Sequence, residues 1–300
     1  MPTATHPILN ALNRGLLLYG TALPYHTGKS RIVEALVEQL HLERLYHEKS
    51  FVVRRRGITW KLSPDDLVQR SIYYCSYHEA KETMELSKLV RPDWSFFDVG
   101  SYFGYYSLLI SHLSRGRATV HAFEPFSSNY ELLLEHRRMN GFDNIHAHRL
   151  AVSDRGGEVE FQLPRPSACQ GGGWVIEEAK QADAPERTER VRVVTLDDFV
   201  AERSIDRLDF IKIDTEGAEI NVLRGAANSI RRFRPGMFVE VNPEALARFG
   251  RQPQELWEAI RQMGYLPHRA TRTGLRRFDD FASVSTYCNV FCFPTESARG

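Results

Sequence analysis

Residues Ser95 to Ser107, SFFDVGSYFGYYS, place an acid and two glycines, Asp98, Gly100 and Gly104, between an apolar run and a helix-like pattern. This order reads as strand, tight turn and helix. At the carboxyl edge of an open parallel sheet such a junction offers a ligand the free N–H groups of a helix start. The side chains of the turn narrow the ligand. A dinucleotide turn needs G-x-G-x-x-G so that its backbone can approach a pyrophosphate, whereas here Ser101, Tyr102 and Phe103 fill the space between the two glycines. That bulk argues against a pyrophosphate, and an acid ahead of the first glycine suits a ligand with positive charge. S-adenosylmethionine carries a sulfonium and an ammonium and no phosphate. A second acid, Glu124, ends the strand-like run TVHAFEP with Pro125 beside it, and its two oxygens suit two ribose hydroxyls. Without a ligand, Asp98 reads as a helix cap and Glu124 as a solvated strand end.

The elements that must hold these residues follow from periodicity. Phe96–Val99, the helix to Leu113, Thr119–Phe123, a helix over Ser128–Met139 stopped by Asn140-Gly141, and a strand around Asn144–Leu150 alternate as βα units. Strands and helices of this length imply right-handed crossovers and a parallel sheet covered on both faces. If the first three strands carry the cofactor, Ala151 to Asp154 face the adenine. EVEFQL reads as a further strand and VRVVTLDDFV as a strand entering a short helix; RLDFIKIDTEGAEINVLRGAANSIRRF reads as a strand ending at Asp214, a turn through Glu216-Gly217 and one long amphipathic helix. MFVEVN, the helix PQELWEAIRQMGY and the apolar CNVFCF complete a doubly wound α/β sheet.

Residues 1–90 read as a helical and hairpin leader, and residues 91–300 as the cofactor-binding domain, with a flexible insertion at 164–190 rich in glycine, proline and charge around Trp174. Within the leader, HTGKS lacks the glycine five positions before Gly28 that a phosphate loop requires, so it reads as a helix start with Ile32, Leu36, Val37 and Leu40 on one face. FVVRRRGITWKLS alternates about Gly57 as a hairpin. Tyr77 and Glu79, where the leader enters the core, are placed to lie over the cofactor, although Glu79 reads equally well as a local helix cap.

Composition limits the partners. Net charge +1 demands neither nucleic acid nor an anionic membrane, and the apolar stretch Gly15 to Leu23 is too short to span a bilayer. A cytoplasmic chain is the expectation. The four cysteines are scattered and form no C-x-x-C pair, and no histidine has convincing ligand spacing, so no metal is expected.

The ordered set FFDVGSYFGYYS, AFEP with Asn129, LAVSD, TLDDF, KIDTEGAE with LRGA, and RP followed by VEVN resembles the FkbM family of S-adenosylmethionine-dependent methyltransferases over about residues 70 to 245. The resemblance implies a class I methyltransferase (Rossmann-like) fold, with a mostly parallel seven-stranded sheet whose last strand is antiparallel. It implies cofactor roles for Asp98, Gly100, Gly104 and Glu124, and O-methylation of a sugar or secondary metabolite. Ser101-Tyr102-Phe103 departs from the small residue, asparagine and small or branched residue that members often carry there.

In this fold the strand ending at Asp214 lies beside the one carrying Asp98, so Asp214 is placed to reach either the cofactor or an acceptor hydroxyl. Glu216 and Glu240 project from neighbouring edges and are the other candidates for removing the acceptor proton. Asp214 alternatively caps the following helix, and Glu216 complements the helix dipole in its first turn. The acceptor class stays open between a hydroxyl, a carboxylate and an amine, on a small molecule or a glycan. A nicotinamide oxidoreductase and a catalytically silent binding protein are the readings from other classes.

Overall fold

The computed structural model describes residues 7–24, 26, 28–46, 49–162, 174–175 and 188–295. They form two units, Met1–Thr83 and Met84–Gly300.

The first unit contains α1 (Pro7–Ala22), α2 (Lys29–Gln39), β1 (Phe51–Arg55), β2 (Ile58–Leu62) and α3 (Leu67–Cys75). The hairpin turns through Arg56 and Gly57, both at positive φ. Gly20 lets α1 approach α3: a Cβ there would lie 2.0 Å from the Tyr74 carbonyl oxygen. The helix starting at Lys29 forms as expected, but its buried positions are Lys29, Val33 and Val37, while Ile32 is exposed. Ser76 and Glu79 take positive φ before α4 (Ala80–Leu89), which crosses the boundary between the units.

The second unit continues through β3 (Ser95–Val99), α5 (Tyr105–Leu113), β4 (Thr119–Phe123), α6 (Ser127–Asn140), β5 (Ile145–His148), β6 (Ala151–Val152), β7 (Gly157–Gln162), β8 (Trp174–Val175) and β9 (Thr188–Val194). It ends with α7 (Leu196–Glu202), β10 (Phe210–Ile213), α8 (Glu219–Gly225), α9 (Ala227–Phe233), β11 (Gly236–Val241), α10 (Pro243–Arg248), α11 (Pro253–Gln262), β12 (Tyr265–Thr271), β13 (Gly274–Arg277) and β14 (Cys288–Pro294). The main sheet has the order β13-β12-β14-β11-β10-β3-β4-β5. β5, β4, β3, β10 and β11 run parallel, and β14 joins β11 antiparallel. This is the doubly wound class I methyltransferase fold, extended by an eighth short strand, β13, that pairs with β12 at the edge.

Alternation along the central strands sorts the faces. Phe97, Val99, Ile211, Ile213, Val239 and Val241 point into one core with Phe199, Ile220, Leu223, Leu256 and Ile260 from α7, α8 and α11. On the opposite face Phe96 stacks on Phe210, and Phe238 meets the ring of Tyr106 of α5 edge-on. Asp98 and Lys212 occupy register-paired positions on that second face.

Three features differ from the sequence expectation. EVEFQL and VRVV do not join the main sheet; β7 and β9 pair antiparallel in a separate sheet of order β6-β9-β7-β8. Of the 164–190 stretch, the rest of which lies outside the described residues, Trp174–Val175 and Thr188–Arg190 are strand, so its carboxyl end belongs to β9. The single helix expected after Gly217 is two, because Asp197 caps the second independently, accepting from the N–H groups of Asn228 and Ser229 at 3.0 and 2.7 Å. The hairpin β12–β13 and the helix α10 carried no clear periodic signal.

Gly225, at the end of α8, meets the chain after β6 at close range: a Cβ would stand 2.0 Å from the Ser153 carbonyl oxygen. Gly225→Ala is therefore expected to force these backbones apart and cost about 2 kcal/mol or more. Thermal unfolding followed by circular dichroism should show a Tm lowered by several degrees, and an unchanged Tm would contradict the contact.

Candidate active site

β3 delivers Asp98 to the carboxyl edge of the sheet, where the chain turns through Gly100–Gly104 into α5. Gly100 has φ +75, and a Cβ there would lie 1.8 Å from the Asp214 carbonyl oxygen. Gly104 has φ +91, and its Cβ would strike a Leu133 methyl at 2.3 Å. Both glycines thus let the turn sit against β10 on one side and α6 on the other.

Asp98 is fully buried and divides its oxygens. Oδ2 accepts from the Ser107 N–H at 3.0 Å and the Ser107 hydroxyl at 2.6 Å, so the acid does cap the start of α5. Oδ1 makes no hydrogen bond and faces the Lys212 ammonium at 3.4 Å. The buried Ser101 hydroxyl likewise lacks a partner. Two buried oxygens that make no hydrogen bond at one turn, one of them facing a lysine, fit a ligand bearing an ammonium, a carboxylate and hydroxyls.

Glu124 is not a solvated strand end. It is buried and binds the turn: Oε2 accepts from the Tyr102 N–H at 2.8 Å, and Oε1 from the Phe126 N–H at 3.0 Å across Pro125 and from the Asn129 amide at 3.2 Å. Burial raises its pKa to about 7 against these donors. Each carboxylate oxygen has two acceptor positions, and Oε2 accepts only the Tyr102 N–H among the hydrogen bonds described, so it has capacity for a ligand hydroxyl. Tyr102 holds φ 53, with its ring edge-on to the buried Phe103 at 4.7 Å. The Phe103 carbonyl accepts from Nδ1 of the buried His136 at 3.0 Å.

β10 brings Asp214 beside the turn, its N–H donating to the Val99 carbonyl at 3.1 Å. Lys212 Nζ donates to the Gly100 carbonyl at 2.5 Å and lies 3.3 Å from Asp214 Oδ2. Thr215 to Gly217 then fold over the buried Glu219, whose Oε1 accepts from the N–H groups of Thr215 and Gly217 at 2.9 and 3.0 Å and from the Thr215 hydroxyl. Glu216 takes φ 55 in this turn. Burial, then the negative charges of Asp214 and Glu219, raise its pKa to about 7. Glu240, partly buried near the end of β11, is register-paired with Asn289 of β14 at the same sheet edge.

The structure thus gathers Asp98, Gly100 through Gly104, Glu124, Pro125 and Asp214 about one turn, with Glu216 following on the chain from Asp214 and Glu240 on the next strand. Ala151 packs instead in an apolar cluster with Phe126, Val191 and Val193. Glu79 belongs to the first unit, where His78 Nε2 lies 3.7 Å from its carboxylate. The sequence reading passed over Lys212, Glu219, Ser107 and His136. Lys212 had a signal, as the one polar side chain within the apolar strand FIKI. His136 had another: Asn129, Leu133 and His136 recur at helical spacing and are all buried on α6. His121 and His148 are packing residues, stacked 5.4 Å apart, with burial lowering their pKa values to about 3 and about 4. Among the described residues no group of three or more histidines, cysteines and carboxylates is arranged to hold a metal, and no helix is long and apolar enough to cross a membrane.

A doubly wound sheet with acids at the ends of adjacent strands and a two-glycine turn between them defines a class I methyltransferase-like domain. The model of the Methyltransferase FkbM domain matches residues 98–267, more than half of the chain, and the chain belongs to that family of S-adenosylmethionine-dependent methyltransferases. It is 30% identical over 167 residues to the 31-O-demethyl-FK506 methyltransferase FkbM of Streptomyces tacrolimicus, covering 47% of this chain and 62% of that protein. It is 27% identical over 142 residues to the hexuronic acid methyltransferase AglP of Haloferax volcanii, covering 47% of this chain and 53% of that one. It is also 27% identical over 164 residues to the 2-O-methyltransferase NoeI of Sinorhizobium fredii, covering 50% and 64%. The chain therefore spans between about half and two thirds of the length of these curated relatives.

The raised pKa of Glu124 makes a linkage prediction. Between the unfolded carboxylate range, about 4.5, and about 7 the folded protein binds the extra proton, so this group's stabilising contribution falls as pH rises through that window. Wild type should lose stability relative to Glu124→Gln by on the order of 1–3 kcal/mol between pH 5 and 7.5. Urea unfolding of both proteins across that range tests it, and parallel curves would refute the assignment.

Proposed function

We propose that this protein transfers the methyl group of S-adenosylmethionine to a hydroxyl oxygen on a glycan or a natural product. One observation carries the reading: at the two-glycine turn the buried Asp98 Oδ1 and the buried Ser101 hydroxyl make no hydrogen bond, while Asp214, its N–H on the Val99 carbonyl, ends the adjacent strand and Glu216 follows it. Two relatives, a 31-O-demethyl-FK506 methyltransferase and a 2-O-methyltransferase, support oxygen as the acceptor atom, and the hexuronic acid methyltransferase supports a sugar as one acceptor class.

S-adenosylmethionine supplies an activated methyl group on a sulfonium that departs as a neutral thioether. The chain's own residues bind, align and take a proton. Asp98 Oδ1 and Ser101 Oγ serve the methionine end, and the remaining acceptor position of Glu124 serves the ribose. Gly100 and Gly104 hold the turn open to that binding by packing against protein on their other sides. Asp214 orients the acceptor at the cofactor edge, with Glu240 flanking it from β11. Glu216 accepts the hydroxyl proton as the oxygen–methyl bond forms. A base with a pKa near the working pH combines availability with driving force. Burial, then the charges of Asp214 and Glu219, raise the proton affinity of Glu216 here.

The assignment separates binding from turnover. Asp98→Ala should abolish S-adenosylhomocysteine binding in a calorimetric titration, whereas Asp214→Asn should lose more turnover than binding. Glu216→Gln should lower kcat by roughly 100-fold or more, the usual scale for a general base, with S-adenosylhomocysteine affinity retained. Because the base acts unprotonated, wild-type kcat should rise with pH through about 7, and that limb should flatten in Glu216→Gln. Parental rates in Asp214→Asn and Glu216→Gln together would overturn the assignment.

A further inference from the structure

Lys212 interrupts an otherwise apolar central strand and is 4% exposed. A buried ammonium is costly unless opposite charge and hydrogen-bond acceptors answer it. Here Nζ reaches Gly100 O at 2.5 Å, Asp214 Oδ2 at 3.3 Å and Asp98 Oδ1 at 3.4 Å, with the Tyr106 ring centroid 5.8 Å away. One cation therefore touches the acid on each of two adjacent strands and the backbone of the turn between them. Asp98 is fully buried and Asp214 is only partly so, so the lysine bridges the interior of the sheet and its functional edge.

Charge counting gives this placement a consequence. Asp98, Asp214 and Lys212 together carry one net negative charge, whereas the two acids alone would carry two. A donor with a sulfonium has one more positive charge than the thioether product that replaces it. Two uncompensated acids would hold the sulfonium form far more tightly than the product. Since positive charge leaves sulfur during transfer, that extra hold would stabilise the ground state more than the transition state and oppose reaction.

We infer that Lys212 is a positioning residue that sets the charge of the cofactor edge, fixing the Gly100 carbonyl while neutralising one of the two flanking acids so that cationic donor and neutral product bind with comparable strength. This rests on the S-adenosylmethionine reading above. A lysine that only filled space or held the turn would affect both ligands equally. The ratio of the two affinities isolates the charge effect.

Separate calorimetric titrations with S-adenosylmethionine and S-adenosylhomocysteine, on wild type, Lys212→Met and Asp214→Asn, test the inference. Lys212→Met should raise the donor-to-product affinity ratio by about tenfold or more, the scale expected for one unit charge removed from a partly desolvated site. Asp214→Asn should lower the ratio. Equal changes in both affinities in Lys212→Met would overturn the inference. If that variant does not fold, as judged by circular dichroism, Asp214→Asn decides: a ratio matching wild type overturns the inference and a lowered one supports it. Failure of wild type to bind either ligand would overturn the cofactor reading itself, and the inference with it.

Discussion

The turn between β3 and α5 reverses the chain inside the protein, and its backbone polar groups must find partners there. They find them on the surrounding elements. The N–H groups of Gly100 and Ser101 both donate to the Phe123 carbonyl of β4, and the N–H of Gly104 closes on Ser101. Glu124 takes the N–H of Tyr102, Lys212 of β10 holds the Gly100 carbonyl, and His136 of α6 holds that of Phe103. A turn tied to β4, β10 and α6 cannot move without breaking several bonds at once. Its shape is a property of the whole central sheet.

This explains why the two glycines are needed even though the turn lacks the dinucleotide pattern. In a pyrophosphate-binding turn a glycine admits the ligand. Here each glycine admits protein: a carbonyl of β10 at Gly100 and a leucine of α6 at Gly104. Asn129, Leu133 and His136, one stripe of α6, respectively bond Glu124, press on Gly104 and bond Phe103. The bulky Ser101-Tyr102-Phe103 segment is accommodated because Phe103 turns inward against His136, ring centroids 5.7 Å apart.

The parts legible in the sequence were those where local pattern and fold agree. The βα alternation, the glycine turn and the acids ending β3 and β4 each gave a local signal, and the structure places them together. What escaped was set by partners far away in sequence. Nothing near Glu124 announces that it will bind the N–H of Tyr102, 22 positions earlier. EVEFQL has the alternation of a strand, but alternation does not say which sheet it joins, and β7 pairs with β9 outside the main one. The continuous helical pattern after Gly217 conceals a break because Asp197, about 30 residues upstream, supplies the cap that starts α9. The buried charges Lys212 and Glu219 broke an apolar strand or repeated an acid, and only their contacts assign them a part.

The turn after β10 is built on a different principle from the glycine turn. Around Gly100–Gly104, strain is met by many hydrogen bonds from several elements. After β10, a single buried carboxylate organises the turn: Glu219 Oε1 accepts three donors from Thr215 and Gly217, while its Oε2 is buried without a hydrogen bond. A non-glycine residue in the left-handed region costs on the order of 1 kcal/mol and persists where its surroundings impose it. Glu216 is held there by the bonds Glu219 makes on either side of it. The same Glu219 adds negative charge next to Glu216 and so contributes, after burial and Asp214, to its raised proton affinity. Backbone shape and basicity at Glu216 are therefore coupled through one residue. Any relaxation of the turn that let Glu216 swing into solvent would remove the desolvation that raises its proton affinity, so the strained backbone is a condition of the chemistry proposed for this edge.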